Sequence, residues 1–422
     1  MIKILRTAKR SWRLVRDEGL ATFTGRVFAK LSTMLIRQSV ASTAGRGAVG
    51  GMLVDVEDAA SVDWTEYSPQ LQSPVTVAEG PLEIAWIMSP PGRESGGHQN
   101  LFRFIRFAEL AGHKCSIYFY STQELAPSIR DTRAMVAESS AYANVEAAMF
   151  NYDRKAGVKP GTQALFATGW ETAYPAYLDP SAARRFYFVQ DYEPSFYALG
   201  SQAILAENTY KFGFHGITAG GWLSHKLSSE YGMKCDSFDF AVDKTHYSVT
   251  NTGKRNEIFF YARPVTARRA FELGILALAD FAKMRPDVTI NLAGWDVSNW
   301  DIPFKFNNLS SLDLSELNEV YNRCAAGLVL SLTNMSLLPL ELMSSGVAPV
   351  VNDGPNNRMV SDNPFIEYVQ PAPKALARRL ADVMDRPDAV ERSLTMSQSV
   401  SEVDWETSGL QFTSALERAM RG

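Results

Sequence analysis

Two arginines five residues apart, Arg263 and Arg268, follow the strand-like run of EIFFYARPVTARRAFELG, and Arg269 stands beside the second at a helix entrance. At the carboxyl end of a strand such a pair suits bidentate capture of phosphate oxygens, because a planar guanidinium matches two anionic oxygens at once. A second cluster is SLTNMSLLPLELMSSGVAPVV, where Glu341 sits between Leu340 and Leu342 in a short apolar helix. A carboxylate there is costly to bury unless it is hydrogen-bonded, and a sugar hydroxyl would serve. A third is IAWIMSPPGRESGGHQN, in which a strand ends at Pro90-Pro91 and a loop with Gly96, Gly97 and His98 runs into a helix. Unpaired amides and the helix dipole make that loop an anion site. It is neither G-x-G-x-x-G nor a P-loop, so the motif supports neither a dinucleotide nor an NTPase. Asp191 follows the strand-like FYFVQ, either lining the same end of the sheet or stabilising the turn Tyr192-Glu193-Pro194.

These residues need strands and helices to bring them together. From Leu82 onward short apolar runs alternate with helical stretches, the signature of parallel sheets covered by helices. Strands are expected at 82–88, 115–120, 164–168, 185–190 and 216–218, and again at 257–262, 288–293, 327–332, 348–352 and 366–369. That predicts an α/β chain with two doubly wound, Rossmann-like domains, 81–243 and 244–422, behind an extension of residues 1–80. Within the extension, Leu5, Ala8, Trp12 and Val15 recur at helical spacing with a basic opposite face, while 39–80 reads as linker.

With 422 residues and 46% hydrophobic content the chain can bury a large core in each of two domains. The net charge of -4 argues against a general nucleic-acid binder, yet residues 1–38 alone carry +7, leaving -11 for the rest. Such a basic, amphipathic segment can lie peripherally on an anionic membrane or pack on the protein itself. No run is apolar enough to span a bilayer and no signal peptide is apparent, which predicts a cytoplasmic protein. Cys115, Cys235 and Cys324 are far apart and form no metal-binding or disulfide pattern. No Asp-x-Asp occurs, so no metal is expected to bridge a diphosphate. His98, His215, His225 and His246 read as structural or surface residues, with His98 the best exception because of its loop.

The order of these segments, with AELAGHKC and SSEYGMKCDSFDFAVDKTHY between them, resembles the retaining nucleotide-sugar glycosyltransferases of family GT4, which have the GT-B fold. Within that family, RRFYFVQDYEPSFYALG and FFYARPVTARRAFELG look like the branch of bacterial rhamnosyltransferases typified by WsaF. The resemblance implies metal-independent transfer of rhamnose from dTDP-rhamnose, with retention, onto a glycan or lipid-linked acceptor of a bacterial surface polysaccharide such as O-antigen. It implies no bound cofactor, the nucleotide sugar being a co-substrate. It places Arg263 and Arg268 at the family's diphosphate-binding Arg and Lys, with Arg269 one position further. Glu341 takes the second glutamate of the family's Glu-x7-Glu motif, which holds the donor ribose. The first glutamate is replaced by Thr333, which moves weight to the amides around Ser336 and Leu337. Gly96 and Gly97 would let backbone approach donor phosphates or acceptor, and Asp191 joins Arg263 and Arg268 as a catalytic candidate.

Two other classes could use a tandem α/β architecture. A nucleotide-sugar epimerase would have no need of the basic N-terminus. A non-catalytic glycan- or nucleotide-binding protein would not need Arg263, Arg268 and Glu341 together.

Overall fold

A computed structural model describes residues 52–66, 80–93, 95–122, 127–335 and 337–421. The basic amphipathic helix expected over 1–38 lies outside the described residues. The compact unit from Asp58 onward holds both sheets.

The first sheet contains seven parallel strands: β1 (Glu83–Met88), β2 (Lys114–Phe119), β3 (Ala148–Asn151), β4 (Ala164–Ala167), β5 (Arg184–Val189), β6 (His215–Ala219) and β7 (Cys235–Phe238). Their order is β3-β2-β1-β4-β5-β6-β7. The second contains β8 (Glu257–Tyr261), β9 (Thr289–Ala293), β10 (Asn307–Ser310), β11 (Cys324–Val329), β12 (Ala348–Asn352) and β13 (Glu367–Val369), ordered β10-β9-β8-β11-β12-β13. In both, the order reverses beside the first strand of the sheet, which opens a crevice at the carboxyl ends of β1 and β4 and of β8 and β11. Two doubly wound sheets are what the alternating pattern predicted.

The central strands are continuous apolar runs because helices cover both faces: every residue of β1 after Glu83 is buried. Three strands escape that reading, β3 (AMFN), β7 (CDSF) and β10 (NNLS), and all three are sheet edges. Half-solvated edges carry no continuous apolar run to detect.

Beyond the second sheet, α-helix Trp405–Arg421 returns to pack on the first one. Phe412 lies within 6.0 Å of Trp86 and 5.3 Å of Phe104, in an aromatic cluster where Trp86 stacks on Phe166 at 4.2 Å. Gly409 makes the approach possible: a Cβ there would stand 2.5 Å from the Phe107 ring. Arg418 pairs with Asp236 at 2.8 Å, securing the other end of the helix. The chain therefore crosses between the sheets twice.

Candidate active site

The second sheet supplies the cations. After β8, Ala262 still pairs with the β9 end through its amide and the Ala293 carbonyl (2.8 Å), so Arg263 emerges at a rigid strand terminus. A 3-10 turn, Ala267–Arg269, follows, and Ala270 in a left-handed conformation (φ 46°) turns the chain into helix Phe271–Met284. Arg263 donates through Nη1 to the Gly294 carbonyl (3.3 Å) and lies 5.7 Å from the Trp295 ring centre. Arg268 sits over the Phe196 ring at 4.2 Å and donates through Nε to Asp191 Oδ2 at 2.9 Å. Among the described residues its two Nη nitrogens have no acceptor, so the ion pair orients the guanidinium and leaves its outer edge open. Arg269 turns inward to Ser331 Oγ (2.7 Å); burial depresses its pKa, with the nearby Asp191 charge opposing. All three arginines are partly exposed, and among them Arg268 reaches the first sheet through Asp191 while Arg269 braces the loop at Ser331.

Asp191 belongs to the first sheet and follows the end of β5. Its Oδ1 accepts from the Tyr192 amide (2.9 Å), which shapes the turn, and also from the Asn334 amide (2.9 Å) across the crevice. Asn334 reaches back through Nδ2 to the carbonyls of Gln190 (3.0 Å) and Ala219 (2.7 Å), the residues that end β5 and β6. Arg268 and Asn334 together thus clamp one sheet to the other. Asn334 is invisible to motif reading, since an asparagine in a polar loop carries no signal of its own.

Helix Leu338–Ser344 carries Glu341, whose carboxylate has no hydrogen bond among the described residues. Burial raises its pKa to about 7, against the opposing charge of Arg103. Arg103 comes from helix Gly96–Leu110 of the first sheet, lies flat over Trp405 at 3.9 Å and bonds Asn100 Oδ1 at 3.2 Å. Its spacing from Gly96 and Asn100, seven and three residues, puts all three on one helix face, which is the signal that could have found it. Leu337 lies just before the Glu341 helix and accepts the Glu341 amide (3.2 Å) on its carbonyl. Ser336 falls outside the described residues.

The glycines expected in a loop are instead the first turn of that longer helix, which begins at Gly96. Ser95 is its N-cap but does not cap with its side chain, because Ser95 Oγ is hydrogen-bonded to His98 Nδ1 at 2.7 Å. His98 Nε2 donates to the Ser89 carbonyl at 2.9 Å, and burial lowers its pKa, so the ring is a neutral brace of the loop. A Cβ on Gly96 would meet nothing within 4 Å, so the space beside the first amides is open.

Two further carboxylates stand at the ends of β4 and β5. Glu193 accepts from the Trp170 amide (2.6 Å) and the Tyr187 hydroxyl (3.2 Å). Burial, and then the charge of Glu171, push its pKa well above the ordinary carboxylate range, while burial also raises Glu171. Burial thus pushes both groups toward the neutral form, and the charge of Glu171 adds to the push on Glu193. Among the described residues no cluster of His, Cys, Asp and Glu could hold a metal ion.

Residues 256–381, the second sheet with its arginine loop and Glu341 helix, match the family "WsaF, C-terminal domain". The chain has the GT-B fold and resembles WsaF. It is 31% identical over 355 residues to the O-antigen biosynthesis protein RfbC of Myxococcus xanthus, an alignment that takes in 82% of this chain and 27% of that protein's length. Solved structures agree on the fold. TarM of S. aureus superimposes with a TM-score of 0.62 at 8% identity, covering 79% of this chain and 99% of TarM. HepE of Anabaena, solved with UDP and glucose, gives 0.59 at 13% identity over 80% of this chain and all of HepE. Sucrose-phosphate synthase of Thermosynechococcus elongatus gives 0.58 at 13% over 80% of this chain and 99% of that one.

Proposed function

We propose that this protein is a glycosyltransferase of bacterial surface-glycan assembly, moving rhamnose from dTDP-rhamnose onto a lipid-linked or glycan acceptor of the O-antigen type. The observation that carries the reading is the pair Arg263 and Arg268 at the end of β8, with the Nη nitrogens of Arg268 open to the crevice. Two guanidinium groups there would hold the donor diphosphate and stabilise the charge that develops as it departs, which needs no metal ion. The likeness to RfbC, an O-antigen biosynthesis protein, supports the pathway, and the sugar rests on the resemblance of the sequence motifs to the rhamnosyltransferase branch.

Arg103 and Glu341 fit the nucleoside side of the donor. A carboxyl group near its neutral form can both donate to and accept from a ribose hydroxyl. On the first sheet, Glu171 and Glu193 follow strands whose ends would face the acceptor. With retention, the departing phosphate oxygen takes the acceptor proton, so neither carboxylate is required as a base. The +7 of residues 1–38 would hold the enzyme at the anionic cytoplasmic leaflet, each basic side chain contributing about 1 kcal/mol.

A panel of nucleotide sugars offered with a rhamnose-bearing acceptor, and read by mass spectrometry, tests the proposal. The expected product carries one added deoxyhexose from dTDP-rhamnose alone. Transfer from another donor would correct the sugar, and release of an isomerised nucleotide sugar without acceptor would overturn transfer itself.

A further inference from the structure

The second sheet has another opening, on the edge away from the crevice. A cavity of about 330 Å³ lies where the strands begin, lined by Lys254 and Arg255 just before β8, by Ala325 in β11 and by Ala348 in β12. The helices Pro373–Met384 and Ala389–Ser399 close its other side. The volume is that of a small ligand.

Its polar end is unusually cationic. Arg285 pairs with Asp287 and Asp385, Arg386 with Asp388, and Arg392 with Glu367. Among the described residues Lys254 and Arg255 form no close ion pair, although the Lys254 charge acts on Asp287. Arg255 is only 7% exposed, and its Nη1 and Nη2 atoms donate to main-chain carbonyls, including Ser345 (2.8 Å) and Asn251 (2.8 Å). A buried cation without a counter-ion is unfavourable unless something anionic shares the site. Three polar atoms in the same wall, Arg255 Nε, Arg392 Nε and Ser393 Oγ, are buried and have no hydrogen-bond partner. Ser393 and the Arg255 guanidinium both border Gly346: a Cβ placed there would stand 2.2 Å from Ser393 Oγ and 3.1 Å from Arg255 Nη2. The lining also has an apolar part, Val383 and the flexible thioethers of Met384 and Met396, which adapt to varied shapes.

We propose that this cavity is a second ligand site, taking a phosphate monoester with an apolar body. The phosphate would meet Lys254, Arg255 and Ser393, and the body would lie against the methionines. The site is independent of the crevice and of the sugar transfer proposed for it. Such an occupant would touch the carboxyl end of the helix that carries Glu341, because Arg255 holds the Ser345 carbonyl there.

Calorimetric titration of the full chain with hexyl phosphate tests this. Saturable binding is expected, with inorganic phosphate at least about tenfold weaker for want of the apolar body. Arg255→Met is a poor probe, since Arg255 also ties strand starts together and the variant can unfold. Lys254→Glu removes an exposed cation and Ala389→Trp fills the cavity mouth. Each should weaken hexyl phosphate about tenfold while leaving nucleoside diphosphate binding and the near-ultraviolet circular dichroism unchanged. Absence of saturable binding by the unaltered protein, or unchanged affinity in both variants, would overturn the proposal. Flotation with dioleoylphosphatidic acid vesicles, whose lipid is a phosphate monoester, separates the sources of phosphate: flotation weakened in both variants, beyond what residues 1–38 supply, assigns a lipid headgroup, and flotation unaffected by them assigns a soluble ester.

Discussion

The two sheets share one strand order around their crevices and present opposite charge there. The second ends in Arg263 and Arg268, both oriented by contacts that leave nitrogen edges free. The first ends in Asp191, Glu171 and Glu193, of which burial pushes the last two toward the neutral form. Topology thus decides where a ligand can lie, while a handful of strand-terminal side chains decides what it can be. The two polarities are not merely opposed but joined, since Asp191 of one sheet aims Arg268 of the other.

Removing the cations should break the contrast most severely. Arg263→Ala or Arg268→Ala should each weaken nucleoside-diphosphate binding by about 1.5–3 kcal/mol, the range for hydrogen bonds to charged groups. Calorimetry checks this, and unchanged affinity in both would leave the crevice without its anion site. Asp191→Ala should reproduce part of the Arg268 loss without touching phosphate, which distinguishes aiming from direct contact.

Glu341 offers a finer test because its chemistry depends on pH. Its folded pKa of about 7 lies above the ordinary 4.5, so the protonated form is the one the fold favours. Stability from this group is present below about pH 4.5 and lost as pH rises through about 7. Glu341→Gln should remove that loss, on the order of 2 kcal/mol near neutrality, and urea denaturation from about pH 5 to 8 would show a flatter profile than for the unaltered chain. Parallel profiles would mean that the carboxylate is solvated.

Asn334→Ala removes two side-chain bonds between the sheets and should cost about 1–2 kcal/mol. Hydrogen exchange should quicken at the Tyr192 and Asn334 amides first, while the sheet centres stay protected. The smallest effect is expected from chelation: transferase activity should persist in EDTA, because the proposed stabilisation of the diphosphate comes from guanidinium groups. Loss restored by Mg²⁺ would transfer that role to a metal.

Legibility in the sequence followed burial. All ten strands expected from apolar runs are present, although the one expected at 327–332 is Cys324–Val329, because the apolar run continues past the last ladder pair. The missed strands are edges whose polar residues face solvent. Arg263, Arg268 and Glu341 were legible as chemistry because each stands out against an apolar strand or helix. Asn334 was not, because a loop amide looks alike whether it bridges two sheets or faces water, and Arg103 offered only its helical spacing from Gly96 and Asn100.

The sequence by itself determined the doubly wound class, the positions of the central strands and the cationic end of β8, since all three rest on local patterns of apolarity, turn residues and charge. Only the tertiary structure decided that Gly96 starts a helix, that Asp191 holds Arg268, that Arg269 turns inward and that the last helix returns to the first sheet. Those outcomes depend on contacts between residues tens to hundreds of positions apart, such as Phe412 on Trp86, and no local period in the chain encodes a partner at that distance.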